Sequence, residues 1–587
     1  MKPSSFRKTR ISSIPLFLNM LPDNRATDYE AATSFLGEWG RFQRRVFFLL
    51  SLSVVPNGLT AFSIVFLADT PDHRCALPAH LNLSAAWRNS SIPLEEDASR
   101  GGALVPSKCS RYKVEYLLNY TERGLLPGLD VNLSNVPKES CLDGWEFDHS
   151  VYESTIVSEW NLACGESWKT PLTSSIFFCG VFTGSLISGQ LSDRFGRKIV
   201  MFATIALQAV SRFIQVFSPS WIVFCALHFI VGIGQVSNYI VAFVLGMEVL
   251  GPRTRTVFST AAVSLSFGVG YMLLPLFAFF LTDWRMLLLA LMLPSCLCMP
   301  LWWFIPESPR WLLSQGRTEE AEAVLRKAAE MNNIEPPTVI FSSLQHRVKT
   351  EEKRPCNICD LLRSPNIRWI SITLWVIWNT ITIAYFALSL NTANLNGNAY
   401  FNCFLSALME MPAYVLSWVM FRWCSRRMSV FSSLSSAGLF LLIIQLLPDL
   451  DALSITFEML GKFAVSTAFA VVYAYTAELY PTVLRNTAVG ACSTAARIGS
   501  IIAPYFIYLR TYSVSLPYIL MGSLTAAAGL LSLLLPESFG MPLPDTISHM
   551  LQFPGCCQKT PNTENEEKAE EETTLVKRSH PQITQQP

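Results

Sequence analysis

Arg497 is the residue of this chain with the clearest chemical potential. It stands in Ser493-Thr-Ala-Ala-Arg-Ile-Gly-Ser500, within a long apolar run. A guanidinium at membrane depth must face the protein interior or water, and its planar shape holds a carboxylate through two parallel hydrogen bonds. Arg497 is therefore predicted to bind the anionic group of a substrate. The alternative is a structural ion pair with a carboxylate such as Glu410.

Amide and hydroxyl side chains form a second set of candidates. Gln235, Asn238 and Tyr239 are three and four residues apart, so they share one face of a helix. Asn57 follows Pro56, which frees a backbone carbonyl. Amide and carbonyl oxygens suit a small hard cation, so Asn57 and Asn238 are predicted to handle Na⁺, with Gln235 and Tyr239 beside the substrate. Ordinary hydrogen bonding between helices is the alternative.

Aromatic residues cluster in two apolar runs of the second part of the chain. Aromatic rings attract organic cations by about 0.5–2 kcal/mol. Tyr385, Tyr473 and Tyr475 are therefore predicted to contact a substrate cation, with Phe386 and Phe469 nearby. The alternative for such rings is ordinary packing.

A charged loop follows Gly189 in Gly189-Gln-Leu-Ser-Asp-Arg-Phe-Gly-Arg-Lys198. A charge cluster at a helix junction can hold one conformation and release in another. Asp193, Arg194, Arg197 and Lys198 are accordingly predicted to form a conformational gate. The alternative is a simple topology signal from positive charge.

A shift of 230 residues carries Glu248 onto Glu478 and Arg255 onto Arg485. Glu248 is predicted to pair with Arg253 or Arg255, and Glu478 with Arg485, as gates that open and close or as static ion pairs. The same shift carries the segment 306–308 onto 536–538, both Pro-Glu-Ser, and Arg197 onto Arg427. These landmarks indicate one unit repeated, which is typical of alternating-access carriers.

The composition predicts an all-α membrane protein with twelve transmembrane helices in two six-helix halves. Hydrophobic residues make up 51% of the 587 residues and charged residues 15%, against about 25% charged in soluble domains. Apolar runs are long enough to cross a bilayer. The net charge of +1 favours no nucleic-acid partner. The predicted spans are 46–68, 171–191, 199–217, 221–246, 257–281, 285–304, 369–390, 399–421, 428–448, 453–477, 487–510 and 514–535.

The predicted organisation has five parts. A cytosolic leader (1–45) precedes the first half (46–304), which includes an extracellular glycosylated loop (69–170). A cytosolic linker (305–368), the second half (369–535) and a cytosolic tail (536–587) follow. The short links 192–198, 252–256 and 422–427 are basic. Basic short links favour the cytosolic side, which places both termini there.

The loop 69–170 combines cysteines with glycosylation sequons, which is typical of an oxidising compartment. The candidate disulfide residues allow three pairings, between which sequence does not choose. They are Cys75, Cys109, Cys141 and Cys164, and the candidate glycosylation sites are Asn82, Asn89, Asn119 and Asn132.

The charged loop and the Pro-Glu-Ser segments resemble the major facilitator superfamily. Other segments are similar to the organic cation/carnitine transporters, above all the carnitine and ergothioneine branch. They include Phe35-Leu-Gly-Glu-Trp-Gly40, Ser140-Cys-Leu-Asp-Gly-Trp-Glu146, Thr155-Ile-Val-Ser-Glu-Trp-Asn-Leu162, Trp302-Trp-Phe-Ile-Pro-Glu-Ser-Pro-Arg-Trp-Leu312 and Tyr475-Thr-Ala-Glu-Leu-Tyr-Pro-Thr482.

The resemblance implies a plasma-membrane secondary transporter for organic cations and zwitterions such as carnitine or ergothioneine, with Na⁺ as coupling ion and membrane lipid as surroundings. It implies ion or substrate handling by Glu478 as well as by the amides and Arg497. The ending Gln-Gln-Pro makes a PDZ partner unexpected. Potential-driven transport of organic cations without Na⁺ and a receptor or scaffold role are the alternatives. No enzyme activity or organic cofactor is expected, and an ATP-driven pump is disfavoured because no Walker motif is present.

Overall fold

The structure is a computed structural model and describes residues 29, 32–78, 83–97, 103–337, 340–341, 360–446, 450–541 and 550. Predictions for most of the leader, for Asn82 and for the tail beyond residue 550 lie outside the described residues.

The described residues contain the twelve predicted membrane helices. Ten helices are long and apolar enough to cross a membrane. Thr482–Tyr508, which contains Arg485 and Arg497, and the shorter Leu516–Ser532 complete the set. In chain order, spans one to twelve are Arg41–Ala61 with Ile64–Leu67, Lys169–Phe195, Arg197–Val216, Trp221–Val249, Pro252–Val257 continued by Phe258–Ala262 and Val263–Phe280, Trp284–Cys298, Pro365–Leu390, Ala399–Leu408 with Glu410–Trp423, Arg426–Ile443, Asp451–Leu479, Thr482–Tyr508 and Leu516–Ser532.

Several helices extend past the ends that hydropathy predicts. Span one begins at Arg41 rather than at residue 46, and span two ends at Phe195 rather than at residue 191. Charged residues lower the hydropathy at these ends, but the helical hydrogen bonds continue into the polar headgroup region. Span five also has a π-helical segment, Phe258–Ala262, and such segments often mark functional positions.

The packing of the helices repeats between the halves. In the first half span four packs on spans one, two and three, span five packs on span one, and span six packs on spans one and three. Each of these pairs has its counterpart six spans later in the second half. Across the halves, span two packs on span eleven and span five on span eight. The duplicated sequence therefore folds as a duplicated helical bundle.

Two glycines bring spans one and five into backbone contact. A Cβ on Gly58 would lie 2.0 Å from the carbonyl oxygen of Phe267, and one on Gly270 would lie 2.1 Å from that of Val55. No other residue type allows this approach. Spans one and five are therefore tightly interlocked.

The loop between spans one and two contains short strands, which the sequence reasoning did not anticipate. The strands are β1 (His73–Cys75), β2 (Leu94–Asp97), β3 (Ala103–Pro106), β4 (Ser110–Tyr112), β5 (Lys138–Ser140) and β6 (Trp145–Phe147). They form three antiparallel pairs, β1 with β6, β2 with β3 and β4 with β5. The loop helices are Ala85–Asn89, Val114–Glu122 and Ile156–Glu159. The side of the bundle that carries this loop is called the disulfide side below, and the opposite side is called the basic side.

Disulfides Cys75–Cys141 and Cys109–Cys164 close the loop, which selects one of the three possible pairings. The loop is anchored to the start of span six. Glu159 pairs with Arg285 and accepts a 2.7 Å hydrogen bond from Trp284 Nε1. The cross-links and this anchor fix the loop on the first half.

The linker between the halves begins with helices Pro309–Ser314 and Thr318–Asn332, and Asp360–Arg363 precedes span seven. The helix Thr318–Asn332 has Glu319 and Glu320 in its first turn, where negative charge is favourable. Asn332 fastens it to span one: its Oδ1 accepts from the backbone N–H of Phe42 at 2.9 Å, and its Nδ2 donates to Gln43 Oε1 at 3.0 Å. The first part of the linker thus packs as part of the first half.

Candidate functional site

The amide residues predicted for ion handling meet in the first half. Asn238 Nδ2 donates to the carbonyl of Ser53 at 3.0 Å and to Asn57 Oδ1 at 3.3 Å. Gln235 Nε2 donates to the carbonyl of Asn57 at 3.3 Å. Asn238 Oδ1 and Asn57 Nδ2 are buried without a hydrogen-bond partner among the described residues. Spans one and four therefore bring Asn57, Gln235 and Asn238 together and leave an acceptor and a donor unused.

Arg497 lies half-buried in the middle of span eleven. Its guanidinium makes no hydrogen bond or ion pair with the part of the chain that the structure describes. Tyr239 of span four lies within electrostatic range of both Arg497 and Tyr473, and Tyr414 of span eight lies within range of the two tyrosines. Four spans from both halves thus place polar groups around one space between the halves.

An aromatic wall lines the second half beside that space. The ring of Tyr473 lies 4.3 Å from that of Trp378 and 5.5 Å from that of Phe469, between ring centroids. Tyr473 keeps 37% of its surface exposed, whereas Trp378 is fully buried. Tyr473 therefore keeps part of its ring exposed on the side of Tyr239 and Arg497, and its contact with a substrate stays a prediction.

Tyr385 occupies a more constrained position than the sequence suggested. Its hydroxyl donates to Glu410 Oε1 at 2.5 Å, and its ring stacks on Phe469 at 5.6 Å. The ammonium of Lys462 lies 3.4 Å from the ring centroid and 3.3 Å from the carboxylate of Glu410. One face of the Tyr385 ring thus already holds a cation of the protein, and Glu410 pairs with Lys462 rather than with Arg497.

The assignment of Tyr475 to the substrate is wrong. This side chain is fully buried, and its hydroxyl donates to the carbonyl of Pro536 at 2.6 Å, at the basic side. Tyr473 and Tyr475 are two positions apart on a helix, so they project to different faces. The buried face carries Tyr475 into the basic-side cluster described next.

The basic-side cluster of the first half joins spans two, three and four to the linker. Arg197 Nε and Nη2 each donate to the carboxylate of Glu248 at 3.0 Å, and Arg197 Nη2 lies 2.8 Å from Asp193 Oδ1. The carboxylate of Glu307 accepts from the backbone N–H groups of Arg197 and Lys198 at 3.0–3.2 Å. Glu307 thereby caps the first turn of span three, where a negative charge is favourable.

The second half contains the same cluster, but its arginine lies one position before the one that the shift of 230 residues predicts. Arg426, not Arg427, pairs with Glu478, at 3.0 Å from Nε and 3.3 Å from Nη2. Glu537 accepts from the backbone N–H groups of Arg426 and Arg427 at 2.8 and 3.1 Å. The segment from the arginine to Glu478 is one residue longer in the second half, which a constant shift of 230 residues does not reveal.

Two other pairings also differ from the prediction. Glu248 pairs with Arg197 rather than with Arg253 or Arg255, and Glu478 pairs with Arg426 rather than with Arg485. Both oxygens of Glu478 are engaged by Arg426, and Ser538 Oγ donates to Oε2 at 2.7 Å. Glu478 therefore belongs to the basic-side cluster and does not meet the amides Asn57 and Asn238.

Of the other predicted gate residues, Arg194 and Lys198 lie at the surface of the basic side, whereas Arg255 is half-buried and Arg485 is buried. Arg194 is exposed and packs against Phe195, whereas the ammonium of Lys198 lies 4.7 Å from the ring centroid of Trp302. The candidate glycosylation sites Asn89, Asn119 and Asn132 are exposed in the loop.

Contacts between the halves concentrate toward the disulfide side. Phe386 of span seven packs on Phe178 at 4.8 Å and on Phe62 at 5.8 Å between ring centroids, and Tyr400 stacks on Phe66 at 5.3 Å. The basic-side clusters each form within one half, and no hydrogen bond or ion pair between described residues joins them. The structure is therefore closed on the disulfide side.

Sequence reasoning missed the buried charges of the second half. Glu458 is fully buried and accepts from Asn391 Nδ2 at 3.0 Å and from the Tyr518 hydroxyl at 2.8 Å. Lys462 follows it by one helical turn. An acid and a base at i and i+4 within an apolar span were a usable signal, because each needs a buried partner.

Comparisons with known proteins agree with this architecture. A family model described as "Sugar (and other) transporter" matches residues 123–546. The chain is 54% identical to Organic cation/carnitine transporter 2 of Homo sapiens, over 94% of this chain and 99% of that protein. It is 53% identical to Solute carrier family 22 member 4 of Mus musculus, over 90% and 95%, and 36% identical to the Organic cation transporter protein of Drosophila melanogaster, over 88% and 94%.

Among solved structures, the xylose transporter XylE from E. coli in a partially occluded inward-open conformation gives a TM-score of 0.53 at 14% identity, covering 83% of this chain and 98% of that chain. A D-xylose-proton symporter gives 0.52 at 12% identity, covering 86% and 99%. At these identities the likeness concerns the fold, and it supports the arrangement of twelve spans.

Proposed function

This chain belongs to the organic cation/carnitine transporters of the major facilitator superfamily, and we propose that it takes up small zwitterions such as carnitine or ergothioneine together with Na⁺. It is a membrane transporter and not an enzyme. The proposal concerns the solute, the coupling ion and the residues that hold them. The observation that carries it is the guanidinium of Arg497, which borders the space between the halves without an ion-pair partner among the described residues.

A guanidinium without a counter-charge at membrane depth is energetically unfavourable. A ligand carboxylate that neutralises it removes most of this unfavourable free energy. Arg497 can hold a carboxylate through two parallel hydrogen bonds. The hydroxyl of Tyr239, within electrostatic range, can donate a further one. We therefore assign the carboxylate of the solute to Arg497.

The cationic group of the solute is assigned to the aromatic wall. Tyr473 presents the exposed ring, and Trp378 and Phe469 support it from behind. The neighbouring Tyr385 holds the ammonium of Lys462 on its face, so the protein itself uses this wall to bind a cation. A trimethylammonium group fits such a surface, because it is attracted to aromatic faces and needs no hydrogen bonds.

Na⁺ is assigned to the amides of spans one and four. Asn238 Oδ1 is a buried acceptor without a partner in the described chain, and Asn57 Oδ1 lies 3.3 Å from Asn238 Nδ2. Small rotations of the two amides would turn both oxygens toward one cation. Glu478 is left out of this assignment because Arg426 engages both of its oxygens.

Transport would proceed by rocking of the two halves about the space that holds the solute. The loop side would face the extracellular medium of the plasma membrane and both termini the cytosol, in line with the basic links. In this orientation the structure is closed toward the outside. The basic-side clusters would repack when the cytosolic side closes.

The test is uptake by cells that express Arg497→Ala or Arg497→Lys. Zwitterion uptake should fall at least about 30-fold in the alanine variant, since truncating one partner of a buried charge pair costs about 2–5 kcal/mol. Tetraethylammonium, which lacks a carboxylate, should be taken up as well as before. Arg123→Ala, an exposed arginine of the loop, is the matched control. Unchanged zwitterion uptake with normal surface expression would remove Arg497 from the substrate site.

A facilitative carrier without Na⁺ is the second candidate. It is favoured by the bonds that Asn238 already makes to Ser53 and Asn57, because these suit a purely structural role. Replacing Na⁺ by N-methylglucamine separates the two. Uptake that persists and follows the membrane potential would support the facilitative carrier.

A further inference from the structure

A cavity of about 340 Å³ lies on the disulfide side, separate from the space around Arg497. We call it the vestibule. The first half contributes the end of span one and the start of span two, and the second half contributes the ends of spans seven and eleven. Its lining includes Asp69, Ser174, Asn394, Tyr508 and Arg510. Its volume falls within the roughly 300–1,000 Å³ of small-molecule sites.

The two halves contribute opposite charges to the vestibule. Asp69 follows span one and accepts a 2.9 Å hydrogen bond from the backbone N–H of Thr70. Arg510 lies in the turn after span eleven and makes no ion pair or hydrogen bond with any described residue, although Glu458 lies within electrostatic range behind it. The Tyr152 hydroxyl also faces the Asp69 carboxylate, but a hydroxyl does not neutralise its charge. Neither Asp69 nor Arg510 has an ion-pair partner among the described residues, so both charges remain available to a ligand.

We propose that the vestibule is a second binding site, in which a small zwitterion places its cationic group against Asp69 and its carboxylate against Arg510. A carboxylate and a guanidinium on opposite walls of one cavity match the two ends of such a solute. The identity of the solute rests on the proposed function, but the site and its charges do not.

The position of the vestibule gives it a place in the transport cycle. The hydroxyls of Ser167 and Tyr508 lie 3.4 Å apart across the two halves, and Ser175 Oγ donates to the carbonyl of Ile501 at 2.7 Å. These contacts must break before the central space opens on this side. A solute bound in the vestibule is therefore held on the disulfide side of these contacts. This raises the local concentration of solute available to the central site when the contacts open.

Binding of labelled carnitine and tetraethylammonium to purified full-length protein tests the site. Arg497→Ala weakens the central site for carnitine, so the remaining saturable carnitine binding reports the vestibule. Tetraethylammonium still binds the aromatic wall of the central site in this variant, so its vestibule binding is the component that Asp69→Asn removes. In that background, Asp69→Asn or Arg510→Gln should reduce carnitine binding at least about fivefold. For tetraethylammonium only Asp69→Asn should weaken binding. Glu122→Gln and Arg123→Gln are the controls, because they make the same charge changes at exposed positions of the loop.

The outcomes separate this proposal from the previous one. A wild-type protein that binds carnitine only through Arg497, with no component sensitive to Asp69 or Arg510, would overturn the vestibule alone. Vestibule binding that survives while Arg497→Ala leaves uptake unchanged would overturn the central assignment alone. A wild-type protein that binds no zwitterion would overturn both.

Acidity provides a second readout. Burial raises the pKa of Asp69 to about 6. The carboxylate is therefore charged at pH 7.4 and mostly neutral at pH 5.5, so vestibule binding of tetraethylammonium should fall about fourfold across this interval. Tyr152 and Tyr400 face Asp69, and Tyr508 and Arg510 lie across the cavity. The ordinary pKa values of tyrosine and arginine side chains lie well above this interval. Asp69→Asn should abolish the pH dependence, and a dependence that persists in this variant would overturn the role of Asp69.

Discussion

The two halves are nearly identical at their basic ends and unlike in their middles. At the basic ends, Arg197 with Glu248 and Arg426 with Glu478 form the same two-bond ion pair. In both halves the glutamate of a Pro-Glu-Ser segment caps the helix that begins at the paired arginine. The parts that recur in both halves therefore lie at the basic side.

The middles carry different chemistry. The first half places the neutral amides of Asn57 and Asn238 there. The second half places the Lys462–Glu410 ion pair there, together with Arg497, which has no ion-pair partner among the described residues. The difference indicates a division of labour. Under the proposed function, we expect the repeated clusters to serve the conformational cycle that both halves share, and the unrepeated residues to select the solute and the ion.

The largest expected effect comes from breaking the buried ion pair. Glu410→Ala leaves the ammonium of Lys462 buried without its counter-charge, which costs about 3–5 kcal/mol. The protein should lose most of its thermal stability and surface expression, as measured by melting of the purified protein and by surface biotinylation.

The double variant Glu410→Leu with Lys462→Met sharpens this test. Replacing both charges with apolar groups of similar volume is often neutral for stability, so folding should return. If Glu410→Ala has the same melting temperature as the wild type, the Lys462–Glu410 pair does not stabilise the fold. The ion pair then no longer distinguishes the middle of the second half from that of the first.

An intermediate effect is expected at the basic ends. Glu248→Gln and Glu478→Gln each remove one charge from matching clusters, so both should lower the maximal uptake rate about tenfold and leave the apparent KM nearly unchanged. Uptake kinetics normalised to surface protein measure this.

The more stringent part of this prediction is that Glu248→Gln and Glu478→Gln lower the maximal uptake rate by the same factor. Glu319→Gln, an exposed glutamate of the linker helix, provides the control for a simple charge change. A strong effect of one variant and none of the other would show that the repeated clusters do not share a role.

The smallest effect is expected from the amides. Asn238→Ala removes the unpartnered oxygen but no charge. It should raise the Na⁺ concentration for half-maximal zwitterion uptake about five- to tenfold, while tetraethylammonium uptake changes little. Ser237→Ala, on the neighbouring face of span four, is the control. An unchanged Na⁺ dependence would assign Asn238 to helix packing.

The fold was predictable because its signals are local or repeated. Hydropathy located the twelve spans, and Glu248 and Glu478 revealed the duplication. Hydropathy placed the start of span one several residues late, because it weighs the charges at residues 41–45 and ignores the hydrogen bonds that continue through them.

The site was less predictable because its contacts join distant helices. The pairing of Lys462 with Glu410 depends on the relative rotation of spans eight and ten, which no periodicity encodes. Tyr473 and Tyr475 look equivalent in sequence, but they project from different faces of span ten. Tyr475 therefore contacts Pro536, whereas Tyr473 borders the central space. Arg426 was missed because one inserted residue displaces the register.

The attachment of the disulfide-bonded loop has a mechanical consequence. Glu159 ties the loop to Arg285 and Trp284 of the first half, and Tyr152 contacts the second half through the ring of Tyr400. If the halves rock as proposed, the disulfide-bonded loop moves with the first half, and the second half moves relative to it. A protein that binds the disulfide-bonded loop and the turn Leu509–Thr511 at the same time would hold the two halves in one relative position. It would inhibit transport without entering the translocation path.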